Sequence, residues 1–282
     1  QIQKIGKEIK GKVDGKTLFD EFSRGRYSTD ASVYQIKPLG VVLPKDTNDV
    51  LSLMEYSQKN SVPLLARGGG SSQCGQTVGE SVVLDYSKHQ NKILELNVEE
   101  KYVWVQPGVV LDHLNAYLKP HGLWFPVDVS TSSRATIGGM SANNSCGSRS
   151  LYYGNMVHNV LAIEAILDDG SIFNFDQINK NYLATKNNQD RLYKIIDKFI
   201  DVRKQVGGEI DANWPTTQRR VGGYNIDLID PEGFNSSNLL VGSEGTLSLF
   251  NKIKLKLSEI PKNKILGVCY FDNFHQAMEL SK

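Results

Sequence analysis

Neither sign of charge dominates this chain of 282 residues, in which 32 Lys and Arg stand against 31 Asp and Glu. The lysines are scattered without interleaved aromatics. Nucleic acid and anionic lipid both select a clustered positive field, so composition argues against either partner. Cysteine is scarce: Cys74, Cys146 and Cys269 are the three, and no C-x-x-C spacing joins them. That odd set suits free thiols in a reducing, cytoplasmic compartment better than disulfides or zinc. No apolar run approaches the roughly 18 residues of a membrane span. The N-terminal QIQKIGKEIKGK has no apolar signal core. The five histidines, His89, His113, His121, His158 and His275, show no paired ligand spacing, so no metal site is expected. Two familiar phosphate loops are missing as well. No lysine followed by Ser or Thr completes a P-loop, and the third glycine of a G-x-G-x-x-G motif is replaced by Gln73.

What is present is a glycine-rich turn between two apolar strands. PLLA precedes Arg67-Gly68-Gly69-Gly70-Ser71-Ser72-Gln73-Cys74-Gly75-Gln76, and SVVLD follows. Three consecutive glycines weaken any regular element, so they mark backbone that takes positive φ or lets something come very close. A run of amides without side chains forms an anion-binding concavity, with serine and arginine donors beside it. A phosphate or pyrophosphate is the expected guest.

The length permits one large or two modest domains. Residues 1–37 read as a polar N-terminal arm. Val41-Val42-Leu43-Pro44 reads as a strand, Thr47 as the N-cap of a helix ending at Asn60, and Pro63 onward as the strand that carries the loop. This β-α-β order puts the loop at a strand's carboxyl end. Segments 93–96 and 102–105 alternate as strands, and Leu111, Leu114 and Leu118 mark a helix stopped by Pro120 and Gly122. Pro126 to Gly154 is a second unusual stretch, small and hydrogen-bonding without the composition of disorder. Small residues let backbone touch a flat ligand, so both stretches are expected to line one site. A strand over 159–167, the turn Asp168-Asp169-Gly170 and a partner strand over 172–175 follow. Leu192, Ile195, Ile196 and Phe199 mark a helix that Gly207-Gly208 is expected to close. Ile253, Leu255 and Leu257 alternate with lysines as a strand. Ile265 to Tyr270 reads as a further strand, with a helix starting at Phe274.

Three motifs in order, RGGGSSQCGQ, the run from PVDVSTSSRATIGGMSANNSCGSRS to AILDDG, and LLVGSEGTL, resemble the FAD-binding domain of the vanillyl-alcohol oxidase type. This domain is also called the PCMH-type or FAD-linked oxidase domain. The similarity spans about Ser28 to Leu257 and looks closest to D-2-hydroxy-acid dehydrogenases: D-lactate dehydrogenase, glycolate oxidase and D-2-hydroxyglutarate dehydrogenase. The SSQCGQ and NNSCGSRS variants look most like long members whose flavin half is followed by an iron–sulfur half.

The resemblance implies an α+β fold over 38–258, with α/β subdomains at about 38–100 and 101–258 and FAD in the cleft between them. Residues 259–282 would begin a truncated ferredoxin-like cap domain. Arg67 and the amides of Gly68, Gly69, Gly70, Ser71 and Ser72 would hold the pyrophosphate, with Gln73 and Gln76 beside it. Ser133, Thr136, Gly138, Gly139, Asn143, Asn144 and Ser148 would close over it. Pro107, Gly108, Tyr153 and Gly154 would flank it, Val160 or Ile163 would offer backbone to the adenine, and Glu244 and Gly245 would lie near the flavin. The glycine loop lacks the histidine of covalent relatives and Cys146 is the only tether candidate in the second stretch, so noncovalent FAD is expected. Arg219 or Arg220 would take a substrate carboxylate, in a hydride transfer from a small hydroxy acid to flavin. The catalytic base and metal-binding histidines would lie in the cap, which makes this length of chain catalytically incomplete. An iron–sulfur cluster would belong to a missing C-terminal part. Two other classes stay open: a reductase of the NADPH-dependent enolpyruvyl-sugar type on the same fold, and an FAD-binding electron-relay module. The electron acceptor and oligomeric state are open too.

Overall fold

A computed structural model describes residues 2–184, 190–217 and 219–281. The first layer is a four-stranded sheet in the order β1 (Lys16–Leu18), β2 (Gly40–Leu43), β4 (Val82–Asp85), β3 (Leu64–Arg67). The β2–β4 and β3–β4 pairs are parallel, and β1 is antiparallel to β2. Strands β2 and β4 are buried along their whole length, as their unbroken Val and Leu runs require. Helices α1 (Ile2–Lys10), α2 (Glu21–Arg26) and α3 (Thr47–Asn60) accompany this sheet. The N-terminal arm is therefore structural: β1 edges the sheet, and Ile5 and Ile9 of α1 join the core of Val50, Leu53, Val82 and Leu84.

The second layer is a five-stranded antiparallel sheet, β5 (Ile93–Asn97), β6 (Tyr102–Val105), β12 (Leu249–Lys256), β8 (Val160–Ile166), β9 (Ile172–Phe175). Strand β5 pairs only with β6 in this sheet, so by pairing residues 93–97 go with the second layer. Between β6 and β8 run α4 (Leu111–Leu118), β7 (Leu123–Trp124) and three short helices, α5 (Ile137–Ala142), α6 (Ser150–Tyr153) and α7 (Met156–Asn159). Leu111, Leu114 and Leu118 of α4 are buried against Val103, Val105, Ile163, Ile253 and Leu255. After β9 come β10 (Gln177–Asn179), α8 (Lys180–Ala184), α9 (Arg191–Asn213) and β11 (Gly233–Asn235), which pairs with β10. Ile196 and Ile200 of α9 pack there on Ile178, Ile229 and Phe234. Ile166 and Leu249 of the second sheet belong to the core of the first, so the two layers share their floor.

Three sequence expectations change. The N-cap of α3 is Asp46, whose carboxylate accepts from the amides of Asn48 and Asp49 at 2.9 and 3.3 Å. Thr47 is the first helical residue instead, and its hydroxyl donates to Asn251 Oδ1 at 2.7 Å. A carboxylate that reaches two free amides at the positive end of a helix outcompetes a single hydroxyl. Helix α9 runs through Gly207 and Gly208 to Asn213. Buried Ile210 and an Arg203–Asp211 ion pair at 2.9 Å hold the last turns, and two glycines alone do not outweigh them. Residues 265–270 form no strand, since Ile265, Leu266 and Tyr270 are exposed and no described strand pairs with them. Beyond β13 (Ser258–Glu259), which pairs with β7, the exposed helix α10 (Phe274–Leu280) is the one element that follows among the described residues.

A Cβ at Gly208 would meet nothing within 4 Å. Gly208→Ala is expected to stabilise the protein by about 0.5–1 kcal/mol, through helix propensity and a less flexible unfolded chain. Denaturant unfolding at constant m-value measures it.

Candidate functional site

Strand β3 ends at Arg67 and delivers the glycine loop to the junction of the two layers. The glycines are there for close approach. A Cβ at Gly68 would lie 2.0 Å from Thr136 Oγ1, one at Gly69 2.3 Å from the Arg134 carbonyl oxygen, and one at Gly138 2.6 Å from Pro107 Cβ. Gly70 and Gly75 take φ of 63° and 81°, a region that costs other residues strain. Across from the loop stands α5, capped by Thr136, whose hydroxyl accepts from the Gly139 amide at 3.3 Å. The amides of Ile137 and Gly138 donate to the carbonyls of Val109 and Pro107 at 2.8 and 2.7 Å. The amides of Gly242 and Glu244 donate to Ser141 and Ala142 at 3.0 and 2.9 Å. Loop, α5 and the 242–245 turn thereby form three walls of one cleft of about 400 Å³, well within the size of small-molecule sites.

Its chemistry is that of a neutral cradle. Among the described residues, none accepts a hydrogen bond from the amides of Gly68 through Gln73. Tyr86 and Ser248 also line the cleft, and their buried hydroxyls have no protein partner. Arg67 and Glu244 are the only charged side chains in the described lining. The Arg67 guanidinium is already engaged: it donates to the carbonyls of Thr29, Thr77 and Tyr27 at 2.7, 3.1 and 3.3 Å and stands 5.3 Å from the Tyr27 ring centroid. Burial lowers its pKa, opposed by the Asp30 and Asp85 carboxylates. Glu244, at φ 51°, accepts from Gln76 Nε2 at 2.6 Å, and so bridges two walls. Six free amides in an interlocked glycine loop fit a diphosphate. Leu64, Leu65, Val129, Met140, Leu249 and Phe250 in the same lining fit flat, largely apolar rings. The residues present therefore suit a flavin dinucleotide.

Of the sequence-derived site residues, the structure brings together Arg67, Gly68, Gly69, Gly70, Ser71, Ser72, Gln73, Gln76, Pro107, Thr136, Gly138, Gly139, Asn143, Glu244 and Gly245 around this cleft. Eight others stand outside its lining. Gly108 is wedged where a Cβ would lie 2.2 Å from the Tyr86 carbonyl oxygen. Asn144 is buried at φ 53° and accepts from the Val157 amide at 3.0 Å. Ser133 is exposed, and Ser148 donates to Asp128 Oδ2 at 2.8 Å. Tyr153 packs edge-on against Trp124, and Gly154 turns the chain at φ 79°. Ile163 is enclosed in the sheet, and the Val160 carbonyl accepts from Asn235 Nδ2 at 3.0 Å. Arg219 and Arg220 lie off the cleft too. Arg220 is bound to Asp227 at 2.6 Å and stacks 4.9 Å from the Trp214 ring centroid. Arg219 is exposed and makes one long bond, 3.3 Å, to the Gly147 carbonyl.

Cys74, Thr77, Ser130, Thr131, Ser145 and Cys146 join the lining from within the two stretches already singled out. Tyr86 and Ser248 had no sequence signal: Tyr86 follows the end of one apolar strand among ordinary polar residues, and Ser248 precedes the start of another.

Residues 38–176 match the family described as FAD binding domain. The chain is 34% identical over 264 residues to a D-2-hydroxyglutarate dehydrogenase of Haemophilus influenzae, covering 89% of this chain and 25% of the relative. It is 35% identical to a protein of the same name from Pseudomonas putida, over 94% of this chain and 27% of the relative. It is 30% identical to the glycolate oxidase subunit GlcD of Bacillus subtilis, over 99% of this chain and 50% of that one. The chain thus spans about a quarter to a half of the length of these relatives. In fold it resembles alkyldihydroxyacetonephosphate synthase, with a TM-score of 0.66 at 19% identity, covering 93% of this chain and 41% of that one. It also resembles 6-hydroxy-D-nicotine oxidase from Arthrobacter nicotinovorans, with a TM-score of 0.59 at 12% identity over 89% and 43% of the two chains. These structures share its α+β arrangement of two layers. Residues 38–176 of the chain are thus matched as a PCMH-type FAD binding domain.

Proposed function

We propose that the chain is the flavin-binding part of an FAD-dependent oxidoreductase that oxidises a small D-2-hydroxy acid, of the kind of D-2-hydroxyglutarate, D-lactate or glycolate. The observation that carries this reading is the row of six partnerless amides, Gly68 to Gln73, held against Arg134 and Thr136 in a cleft with apolar ends. The names of its relatives supply the substrate class. Bound FAD supplies the two-electron acceptor for the Cα hydride. The chain's own residues then have three tasks. The loop amides hold the diphosphate, Leu64, Leu65, Met140 and Phe250 exclude water from the rings, and Glu244 with Gln76 ties the loop to the opposite wall.

FAD is held without a covalent bond in this reading: no histidine lines the cleft among the described residues, and Cys146, the candidate tether of the second stretch, lies in the lining but is read as a free thiol. The substrate carboxylate falls to Arg219, whose charge has no carboxylate partner among the described residues, rather than to Arg220, which Asp227 already neutralises. No three His, Cys, Asp or Glu side chains gather as a metal site among the described residues, so an iron–sulfur centre would be housed elsewhere in a longer protein. The free thiols of Cys74, Cys146 and Cys269 support a reducing compartment such as the cytoplasm. No described helix is long and apolar enough to cross a membrane.

Two measurements test the reading. The purified chain is expected to bind FAD and release it intact on acid precipitation, and Gly69→Ala is expected to raise the dissociation constant about fivefold or more, since overpacking against a backbone carbonyl costs about 1–3 kcal/mol. Anaerobic bleaching of the flavin band in the whole protein by a panel of D-2-hydroxy acids decides the substrate class. Bleaching by NADPH alone, or by nothing in the panel, would replace it with a reductase or a relay module. In that protein Arg219→Ala is expected to raise KM for the acid and leave stability unchanged. Arg220→Ala is expected instead to lower stability by about 1–3 kcal/mol, because it strips Asp227 of its partner in a half-buried site; steady-state kinetics and thermal unfolding separate the two.

A further inference from the structure

Residues 27–36 belong to no helix or strand and none of them lines the cleft, yet they are tied to the glycine loop at several points. The Ala31 amide donates to the Gly70 carbonyl at 3.1 Å. The Thr77 hydroxyl donates to Asp30 Oδ2 at 2.9 Å. Arg67 reaches back from the base of the loop to the carbonyls of Thr29 at 2.7 Å and Tyr27 at 3.3 Å. The Tyr34 ring covers Gly75, where an added Cβ would lie 2.6 Å from Tyr34 Cδ2. The segment is itself a closed turn: Thr29 and Gln35 form an antiparallel bridge, the Ile36 amide donates to the Ser28 carbonyl at 2.9 Å, and Asp30 Oδ1 accepts from the Ser32 amide at 2.8 Å.

A loop with three adjacent glycines has many accessible conformations, and fixing each residue costs conformational entropy. Its own amides give no ladder to hold it, because they are left for a ligand. The turn supplies from outside the contacts that the loop lacks, and it does so through loop carbonyls and side chains, which leaves the amides free. Arg67 shows the same division of labour, since its guanidinium faces the turn's carbonyls. A ligand that binds one loop conformation must then favour the docked turn, and the docked turn must favour the ligand by the same factor.

We infer that the turn 27–36 is a working part of the cofactor site: it holds the glycine loop in its anion-binding shape, so that docking of the turn and binding of FAD strengthen each other. This rests on the flavin reading of the cleft. Asp30 is a positioning residue here, acting through Thr77 and the loop.

Hydrogen exchange on the unsubstituted protein and FAD titration of variants test it together. Saturating FAD is expected to slow exchange at Ala31 and Ile36 by about fivefold or more, although neither residue lines the cleft. Exchange in α10, which is fully outside both cores, stays unchanged. Asp30→Ala is expected to raise the FAD dissociation constant about tenfold, and Asp30→Asn, which keeps the shape and an acceptor oxygen, by less than about threefold. Tyr34→Ala gives the same direction if Asp30→Ala does not fold. A merely structural turn would lower the unfolding temperature of the ligand-free protein in Asp30→Ala and leave FAD affinity within twofold. That outcome, or turn amides whose exchange FAD does not alter, overturns the inference. Failure of the unsubstituted protein to bind FAD is a separate result and falls on the flavin reading itself.

Discussion

Six consecutive backbone amides, Gly68 to Gln73, have no partner among the described residues, and that constraint shapes what surrounds them. An amide left unpaired away from water costs about 1–3 kcal/mol, so the loop must stay beside an open cleft. It must also be fixed without using the groups that a ligand needs. The structure meets both demands by holding the loop from behind and below. Arg134 and Thr136 press against Gly69 and Gly68 at distances that no Cβ would permit, Arg67 anchors the base to the carbonyls of Tyr27 and Thr29, and the Gln76–Glu244 bond ties the far end across the cleft.

Those supports come from distant parts of the chain, and the two sheets are what bring them together. Parallel strands β2, β4 and β3 direct the loop towards the second layer, where β12 and β8 form the centre of an antiparallel sheet. Ile166 and Leu249 reach from that sheet into the first core. The floor of the cleft is therefore continuous hydrophobic packing rather than a hinge. Helix α5 is pinned on this floor from both sides, by the carbonyls of Pro107 and Val109 and by the amides of Gly242 and Glu244. A short helix of Gly, Met and Ser has little propensity to stand alone, so these pins give it its place.

Much of this was legible in the sequence, and the reason differs between elements. Largely apolar segments, such as Val82-Val83-Leu84 and Val160 to Ile166, become mostly buried strands because nothing else satisfies them. The glycine run announced close approach because no other residue tolerates it. What stayed hidden depends on partners far away in sequence. Two glycines in α9 looked like a stop, yet Ile210 has a core to join. Ile265 to Tyr270 has strand composition but no neighbour to pair with among the described residues. Arg67 stood where a phosphate ligand would, and only the fold reveals that Thr29 and Tyr27 claim its donors. Tyr86 and Ser248 carried no pattern, since a hydroxyl at the edge of an apolar strand becomes part of a site only when two sheets meet over it.

The neutrality of the cradle has a consequence for how charge is distributed over the site. A cluster of lysines would attract any polyphosphate or nucleic acid, with an affinity set mostly by charge count and ionic strength. Backbone amides in a fixed loop discriminate by geometry instead, because they reward an anion only at the position where several N–H groups converge. Arg67 is diverted into the fold, and Glu244 adds a negative charge to the lining, so the cleft has no net cationic pull of its own. In the proposed reaction a second anion, the carboxylate of a hydroxy acid, must be held close to the same cofactor without competing for the diphosphate site. Arg219 stands outside the lining and its neighbour Arg220 is paired with Asp227, so the proposed use of Arg219 would keep the two anions on different kinds of donor. Under that proposal geometry would select one anion and charge the other, a division that a chain with a formal net charge of +1 needs more than a strongly basic one would.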